Sequence, residues 1–129
     1  MKVKLSTKEK FTVIELIEPV FAANMAAEFR ELSESLSSKP PFNIILDLNG
    51  IEETDPDMAE ILAQVQADVY EKGHSFVVCS MNNSVTKTFE AADLIDIMNI
   101  TPTQSEAWDM VQMEEVEREL LSDMEQGDE

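Results

Sequence analysis

The sequence has few of the residues from which most enzyme and metal sites are built. Its 129 residues include one cysteine, one histidine and 3 glycines, and the glycines are too far apart for a glycine-rich dinucleotide loop or a phosphate loop. One cysteine excludes an internal disulfide, and one histidine excludes the usual His/Cys metal clusters. No Gly-x-Ser-x-Gly turn presents a serine to His74. We therefore predict a protein that is not an enzyme and that uses no cofactor or metal.

The sequence also has no long apolar run. None approaches the roughly 20 residues that cross a bilayer, and the N-terminal MKVKLSTKEK has no following stretch suited to export. We expect a cytoplasmic protein without direct membrane insertion. The apolar content of 43% in 129 residues fits one domain. Cys79 ends the apolar run from Ser75 and is expected to be a small buried hydrophobe.

Basic residues are scarce in most of the chain, whose net charge is −18. Residues 1–40 hold six basic and six acidic side chains, whereas residues 41–129 hold 21 acids and only Lys72, Lys87 and Arg118 as bases. Nucleic acid is not an expected partner, because binding a phosphate backbone requires a basic face. A basic protein partner would be attracted, although a strong acidic excess also serves solubility.

Hydrophobic periodicity predicts alternating strands and helices. Strands are predicted near Lys2–Leu5, Phe11–Ile17, Phe42–Leu48 and Ser75–Ser80, with a short edge strand at the end of Leu94–Ile100. Helices are predicted for Phe21–Leu36, Met58–Val69, around Val85–Phe89, and from Thr103 to about Met124. This order favours an α/β fold with a mixed sheet of four to five strands, a parallel centre, about four helices and a long acidic C-terminal helix.

An acidic cluster lies between the third strand and the second helix. Its five carboxylates are Glu52, Glu53, Asp55, Asp57 and Glu60. In open α/β sheets, such loops beyond the carboxyl ends of parallel strands are where sites form. The cluster fits helix capping with Asp55 as N-cap and Pro56 at the first helical position, protein docking in addition to capping, or a divalent cation. The spacing is not that of a calcium loop, so we predict no metal.

The same segment resembles a known family. Residues 43–58, NIILDLNGIEETDPDM, are similar to the hallmark strand and loop of STAS domains, in which an apolar strand ending in Asp-Leu leads to Asp-Ser-Ser/Thr-Gly at a helix start. Tyr70–Cys79 resembles the family's helix end, glycine and next strand. Phe89–Leu94 and Glu106–Trp108 fit its third and final helices more loosely. The resemblance covers about residues 1–112, with residues 113–129 as an acidic amphipathic extension.

The resemblance implies a function based on docking. STAS domains include anti-sigma factor antagonists, stressosome components, cytosolic subunits of lipid transporters and tails of anion transporters. It implies a non-catalytic protein–protein interaction module in signalling and transcription regulation. The partner would be an anti-sigma factor or kinase-like protein, or another STAS-binding protein. The alternative is a structural scaffold subunit that self-assembles or belongs to a transporter complex.

The sequence departs from the family at the functional position. In regulatory members the serine after the loop aspartate is phosphorylated by the partner. Asp55 matches that aspartate, but Pro56 replaces the serine, Asp57 the next hydroxyl residue and Met58 the glycine. Phosphorylation at the usual serine is therefore not expected, because proline has no hydroxyl. The predicted partner-binding residues are Glu52, Glu53, Thr54, Asp55, Pro56, Asp57, Met58 and Ser84.

The C-terminal extension combines acids with a hydrophobic spacing. Met113, Val116, Leu120 and Met124 recur at helical spacing in a segment rich in Glu and Asp. Such a helix packs beyond the domain, pairs with a second copy to form a homodimer, or enters a groove of a partner. The remaining interpretation is a plain continuation of the last core helix into solvent.

Overall fold

A computed structural model describes residues 1–127, which form seven strands and four α-helices. In chain order these are β1 (Val3–Thr7), β2 (Phe11–Leu16), β3 (Val20–Phe21), α1 (Ala26–Ser37), β4 (Asn43–Asp47), β5 (Glu53–Thr54), α2 (Pro56–Glu71), β6 (Phe76–Cys79), α3 (Asn83–Ala91), β7 (Ile100–Thr101) and α4 (Gln104–Gly127). The predicted α/β class is confirmed. Across residues 1–127, no helix combines the length and the apolar character needed to cross a membrane.

Five strands form the main sheet in the order β1-β2-β4-β6-β7. β1 is antiparallel to β2, whereas β2, β4, β6 and β7 are parallel to one another. The carboxyl ends of the parallel strands therefore lie along one edge of the sheet. The segments that follow β2, β4, β6 and β7 start at that edge and are brought together there.

The two faces of the sheet are covered by different helices. Successive side chains of a strand point to opposite faces, so odd-numbered and even-numbered residues pack against different helix layers. Odd-numbered residues pack with α4 residues Ala107 and Val111: Phe11, Val13, Ile45, Val77 and Cys79. Even-numbered residues pack with the buried faces of α1, α2 and α3: Ile14, Leu16, Ile44, Leu46, Phe76 and Val78. The sheet is thus covered on both faces, which explains its nearly continuous apolar strands.

Two short strands were not predicted. β3 pairs in parallel with β5, with Val20 opposite Glu53 and Phe21 opposite Thr54. The prediction of a helix starting at Phe21 was wrong, because Phe21 belongs to this pair and α1 begins at Ala26. The Phe21 ring is buried edge-on against Phe29 of α1, with centroids 5.3 Å apart. Phe21 therefore packs with the apolar face of α1 and fits its sequence spacing, although its backbone is not helical.

Helix α4 begins at Gln104, one residue after the predicted start at Thr103, and continues well past residue 112. The Thr103 hydroxyl accepts the Glu106 amide at 3.2 Å. Contacts with the body of the domain continue along the helix, since Glu115 accepts a hydrogen bond from the Asn43 side chain at 2.6 Å and Arg118 donates to Ser75 Oγ at 3.1 Å. The division of the chain at residue 112 stays a prediction.

His74 lies just before β6, at the amino end of the parallel strands. Its ring stacks on Phe42, with centroids 4.4 Å apart. Burial, together with the nearby charges of Arg118 and Lys72, lowers the pKa of His74 below its usual value. The neutral imidazole therefore serves as a packing surface at this end of the sheet.

Burial of Cys79 gives a direct test of the fold. The side chain is fully buried between the sheet and α4, and this burial raises the pKa of its thiol to about 11. Because the thiolate is the reactive form, we expect Cys79 to react with a disulfide reagent at pH 8 only when the domain opens. The reaction rate should rise with denaturant in step with global unfolding. A Cys79→Ala, Ser84→Cys variant should react at once, and rapid native-state labelling of Cys79 would contradict its burial.

Candidate functional site

The acidic loop, residues 52–57, lies at the carboxyl edge of the sheet between β4 and α2. Its backbone is fixed to the segment before β3. The amides of Glu52 and Glu53 both donate to the carbonyl oxygen of Pro19, at 2.7 and 3.2 Å, and the amide of Ile51 donates to the carbonyl of Leu48 at 3.0 Å. The loop therefore has a defined backbone path although most of its side chains are exposed.

Asp55 joins two separate elements with one carboxylate. Oδ1 accepts the amide of Met58 at 2.7 Å and caps α2, while Oδ2 accepts the amide of Ala23 at 3.0 Å in the turn before α1. The predicted N-cap and the placement of Pro56 in the first turn of α2 are confirmed. Because both oxygens of Asp55 accept backbone amides, its main role is to position the loop.

Thr54 is tied to both neighbouring segments. Its buried hydroxyl donates to the carbonyl of Phe21 at 2.7 Å, and its own carbonyl accepts the hydroxyl of Thr88 at 3.3 Å. The first contact reinforces the β3–β5 pair, and the second links the loop to α3. Thr54 therefore holds the loop in place and its hydroxyl is not free for a partner.

Asn82 has one role that the sequence indicates and one that it does not. Its Oδ1 accepts the amide of Val85 at 2.8 Å and caps the start of α3. Its Nδ2 also donates to the carbonyls of Ile51 and Glu52, at 3.2 and 3.1 Å. One side chain thus caps α3 and fixes the loop. The contacts with the loop join positions separated by 31 and 30 residues in the sequence, so no local pattern indicates them.

Asp47, the last residue of β4, provides a second anchor. Its Oδ1 accepts the amide of Asn49 at 2.9 Å, and its Oδ2 accepts Gln104 Nε2 at 2.9 Å from the first turn of α4. An open cleft of about 480 Å³ lies beside it, lined also by Glu15 and Glu18. The acidic surface at this edge therefore extends beyond the loop itself.

Exposure divides the predicted partner-binding residues into two groups. Five are exposed at the carboxyl edge: Glu52, Glu53, Pro56, Asp57 and Ser84. Thr54 and Met58 are buried, and Asp55 is half-buried with both oxygens engaged. Met58 is a correction to the predicted contact set, because its side chain lies wholly within the core and cannot touch a partner in this conformation.

The exposed side chains give the site a single sign of charge. Glu52, Glu53, Asp57 and Glu60 are all exposed, and Asp57 lies in the first turn of α2, where a negative charge interacts favourably with the helix dipole. Among the side chains that the structure describes, no group of three or more His, Cys, Asp or Glu is arranged to hold a metal ion. What the arrangement offers is a fixed anionic surface.

Comparisons with known proteins agree on one family and fold. The STAS domain family model matches residues 2–107. An anti-sigma-factor antagonist (STAS) domain protein from Planctomyces limnophilus has 15% identity and a TM-score of 0.72, over 85% of this chain and 97% of that one. An anti-sigma factor antagonist from Mycobacterium paratuberculosis has 17% identity and a TM-score of 0.70, over 86% and 93%.

A membrane protein shares the same fold in part of its length. The murine Slc26a9 anion transporter matches with 14% identity and a TM-score of 0.69, over 84% of this chain but 18% of the transporter. At these identities the structural likeness concerns the fold alone. No curated protein sequence matches the chain.

The double role of Asp55 predicts a graded loss of stability. Asp55→Ala removes the α2 cap and the acceptor for Ala23, and should lower the free energy of unfolding by about 2–3 kcal/mol. Asp55→Asn keeps an oxygen for the Met58 amide and should cost about half as much. Asp57→Asn, which alters charge without a backbone bond, should cost less than about 1 kcal/mol. Urea denaturation measures all three, and equal losses for Asp55→Ala and Asp57→Asn would contradict the bridging role.

The role of Asn82 in fixing the loop can be separated from its role as a cap. Asn82→Asp retains an oxygen for the Val85 amide but loses the amide donors to Ile51 and Glu52. We expect hydrogen exchange at the amides of Glu52 and Glu53 to accelerate by about tenfold, with α3 intact. Asn83→Asp adds the same charge one residue later and serves as the control. Unchanged protection of the loop in Asn82→Asp would show that the side chain does not hold it.

Proposed function

The chain belongs to the STAS domain family, and on that basis we propose that it is a non-catalytic protein–protein interaction module. It binds a regulatory partner through the acidic loop, the start of α2 and the start of α3. The observation that supports this most directly is the combination of exposed Glu52, Glu53 and Asp57 with a backbone held by Pro19, Asp55 and Asn82. The partner would be an anti-sigma factor or kinase-like protein, or another protein that binds STAS domains.

A fixed loop favours binding because less conformational entropy is lost when the complex forms. The carboxylates extend from a loop anchored on one side to the segment before β3 and on the other to α3. Their uniform charge selects a basic partner surface and accelerates its approach at low ionic strength. The proposed contacts are therefore the exposed side chains, with Thr54, Asp55 and Met58 as the residues that position them.

We propose further that binding is not switched by phosphorylation at the usual position. Pro56 has no hydroxyl, and the neighbouring Thr54 hydroxyl is buried and donates to the carbonyl of Phe21. Asp57 places a permanent negative charge in the first turn of α2, close to where a phosphoserine would add one. The docking surface would then keep the same charge at all times.

Site-specific crosslinking followed by affinity measurement tests this proposal. A photoreactive residue at Glu53 should capture a protein from an extract of the source cells, whereas the same residue at Glu31 on α1 should not. With the captured protein purified, the variant Glu52→Gln, Glu53→Gln, Asp57→Asn should bind at least about tenfold more weakly by calorimetry, with a smaller dependence on salt.

A charge-matched variant is the control for that measurement. Glu9, Glu31 and Glu71 are exposed and lie away from the carboxyl edge, in the β1–β2 turn, along α1 and at the end of α2. Replacing all three by glutamine changes net charge by the same amount and should alter affinity less than about threefold. If both variants weakened binding equally, the effect would be due to overall charge and not to the acidic loop. A purified chain that turns over a metabolite and captures no protein would overturn the proposed function.

A further inference from the structure

The outer face of α4 carries a row of exposed apolar side chains. Met113, Val116, Leu120 and Met124 are 62%, 53%, 57% and 68% exposed. They follow one another at three or four residues, so they form a continuous stripe along successive helical turns. Single exposed apolar residues are ordinary, but a contiguous row of this kind usually marks an interaction surface. We call these four residues the α4 stripe.

The α4 stripe points away from its own domain. At 3.6 residues per turn, Ala107 and Val111 lie on the opposite side of the helix from Met113 and Leu120. Ala107 and Val111 are buried against the sheet. Arg118, on that same inner side, donates to Ser75 before β6. The helix is therefore fixed to the body by its inner side, and the stripe is presented outward without competing for core contacts.

The charges beside the α4 stripe select among occupants. Glu117, Glu119 and Asp123 lie near it on the exposed part of the helix. The sequence from Glu119 to Glu129 contains no Lys, Arg or His. A second copy packed on the stripe would bring these carboxylates against an identical set, and like charges at close range are destabilising. A partner helix with Lys or Arg beside its apolar residues would oppose the acids with cations instead.

The helix dipole adds to this preference. The C-terminal end of a helix carries partial negative charge and is stabilised by cations, yet the last turn of α4 has no basic residue. Glu119 and Asp123 are also spaced as a like-charged i, i+4 pair. A cationic partner would offset the partial negative charge at the end of the helix and reduce the repulsion between Glu119 and Asp123.

We propose that the α4 stripe binds a basic amphipathic helix of a partner protein, with the partner's apolar side chains against Met113, Val116, Leu120 and Met124 and its Lys or Arg side chains beside Glu117, Glu119 and Asp123. This surface is separate from the acidic loop. The segment of α4 around Glu115 contacts Asn43 and Lys10 at the amino end of the parallel strands, whereas the loop is at their carboxyl end.

A designed peptide with the chemistry of the proposed partner tests the proposal. The probe is a synthetic 20-residue helix with leucines at i, i+3, i+4 and i+7 spacing and lysines on both flanks, labelled for fluorescence anisotropy. The full chain should bind it. The variant Val116→Ser, Leu120→Ser, Met124→Ser should bind at least about tenfold more weakly. Because these side chains are exposed, the variant should keep the circular dichroism spectrum and unfolding midpoint of the parent.

Two controls separate stripe recognition from general charge attraction. The first control is a peptide of identical composition with its leucines scattered around the helix. The parent should bind this peptide weakly, with about the affinity that the stripe variant has for the designed peptide. The variant Leu5→Ser, Ile17→Ser, Ile97→Ser removes three exposed apolar residues elsewhere and should leave affinity for the designed peptide unchanged. The loop variant Glu52→Gln, Glu53→Gln, Asp57→Asn should bind the designed peptide with an affinity within about threefold of the parent. Failure of the α4 proposal can therefore be distinguished from failure of the loop proposal.

Three outcomes would overturn the proposal. Equal affinity for the designed and scattered peptides would show attraction to net charge alone. Undiminished binding by the stripe variant would place the peptide elsewhere. A stable dimer of the parent in sedimentation analysis that dissociates in the stripe variant would show that a second copy, and not a basic helix, covers α4.

Discussion

The carboxylate of Asp55 is the interaction on which the acidic edge depends. It accepts one amide from the start of α2 and another from the turn before α1, and within residues 1–127 no other charged group of the loop between β4 and α2 bonds to that turn. Hydrogen bonds to a carboxylate are among the stronger ones in proteins, because the acceptor is charged. With the turn before α1 joined to the start of α2, the backbone that carries the neighbouring exposed carboxylates keeps a defined path.

Pro56 gains significance in this setting. A proline at the first helical position has a suitable φ and lacks an amide that would otherwise need a partner, so it supports the same helix start that Asp55 caps. This position therefore carries a residue that has no hydroxyl and that restricts the backbone at the helix start. Asp57 adds a charge that does not depend on another protein.

Local patterns accounted for most of the fold and for the capping of α2 beside the candidate site. Apolar runs and helical spacing located β2, β4, β6 and the helices, because burial on both faces of a sheet leaves a strong signal. The cap by Asp55 acts within four residues, so it was visible as a local pattern. The β3–β5 pair could not be predicted, because strands of two residues are too short to show a periodicity. The contacts of Asp47 with Gln104 and of Asn82 with Ile51 follow only from strand order.

Helix α4 is also a spacer. Its 24 residues correspond to a rod of about 36 Å. The helix starts beside the acidic edge and leads to the far end of the sheet. Ligands bound at the two ends would be held a fixed distance apart by a stiff helix, whereas a flexible linker would let that distance vary. If both proposed surfaces bind their partners, the two bound proteins would be held near each other at a raised effective concentration without touching.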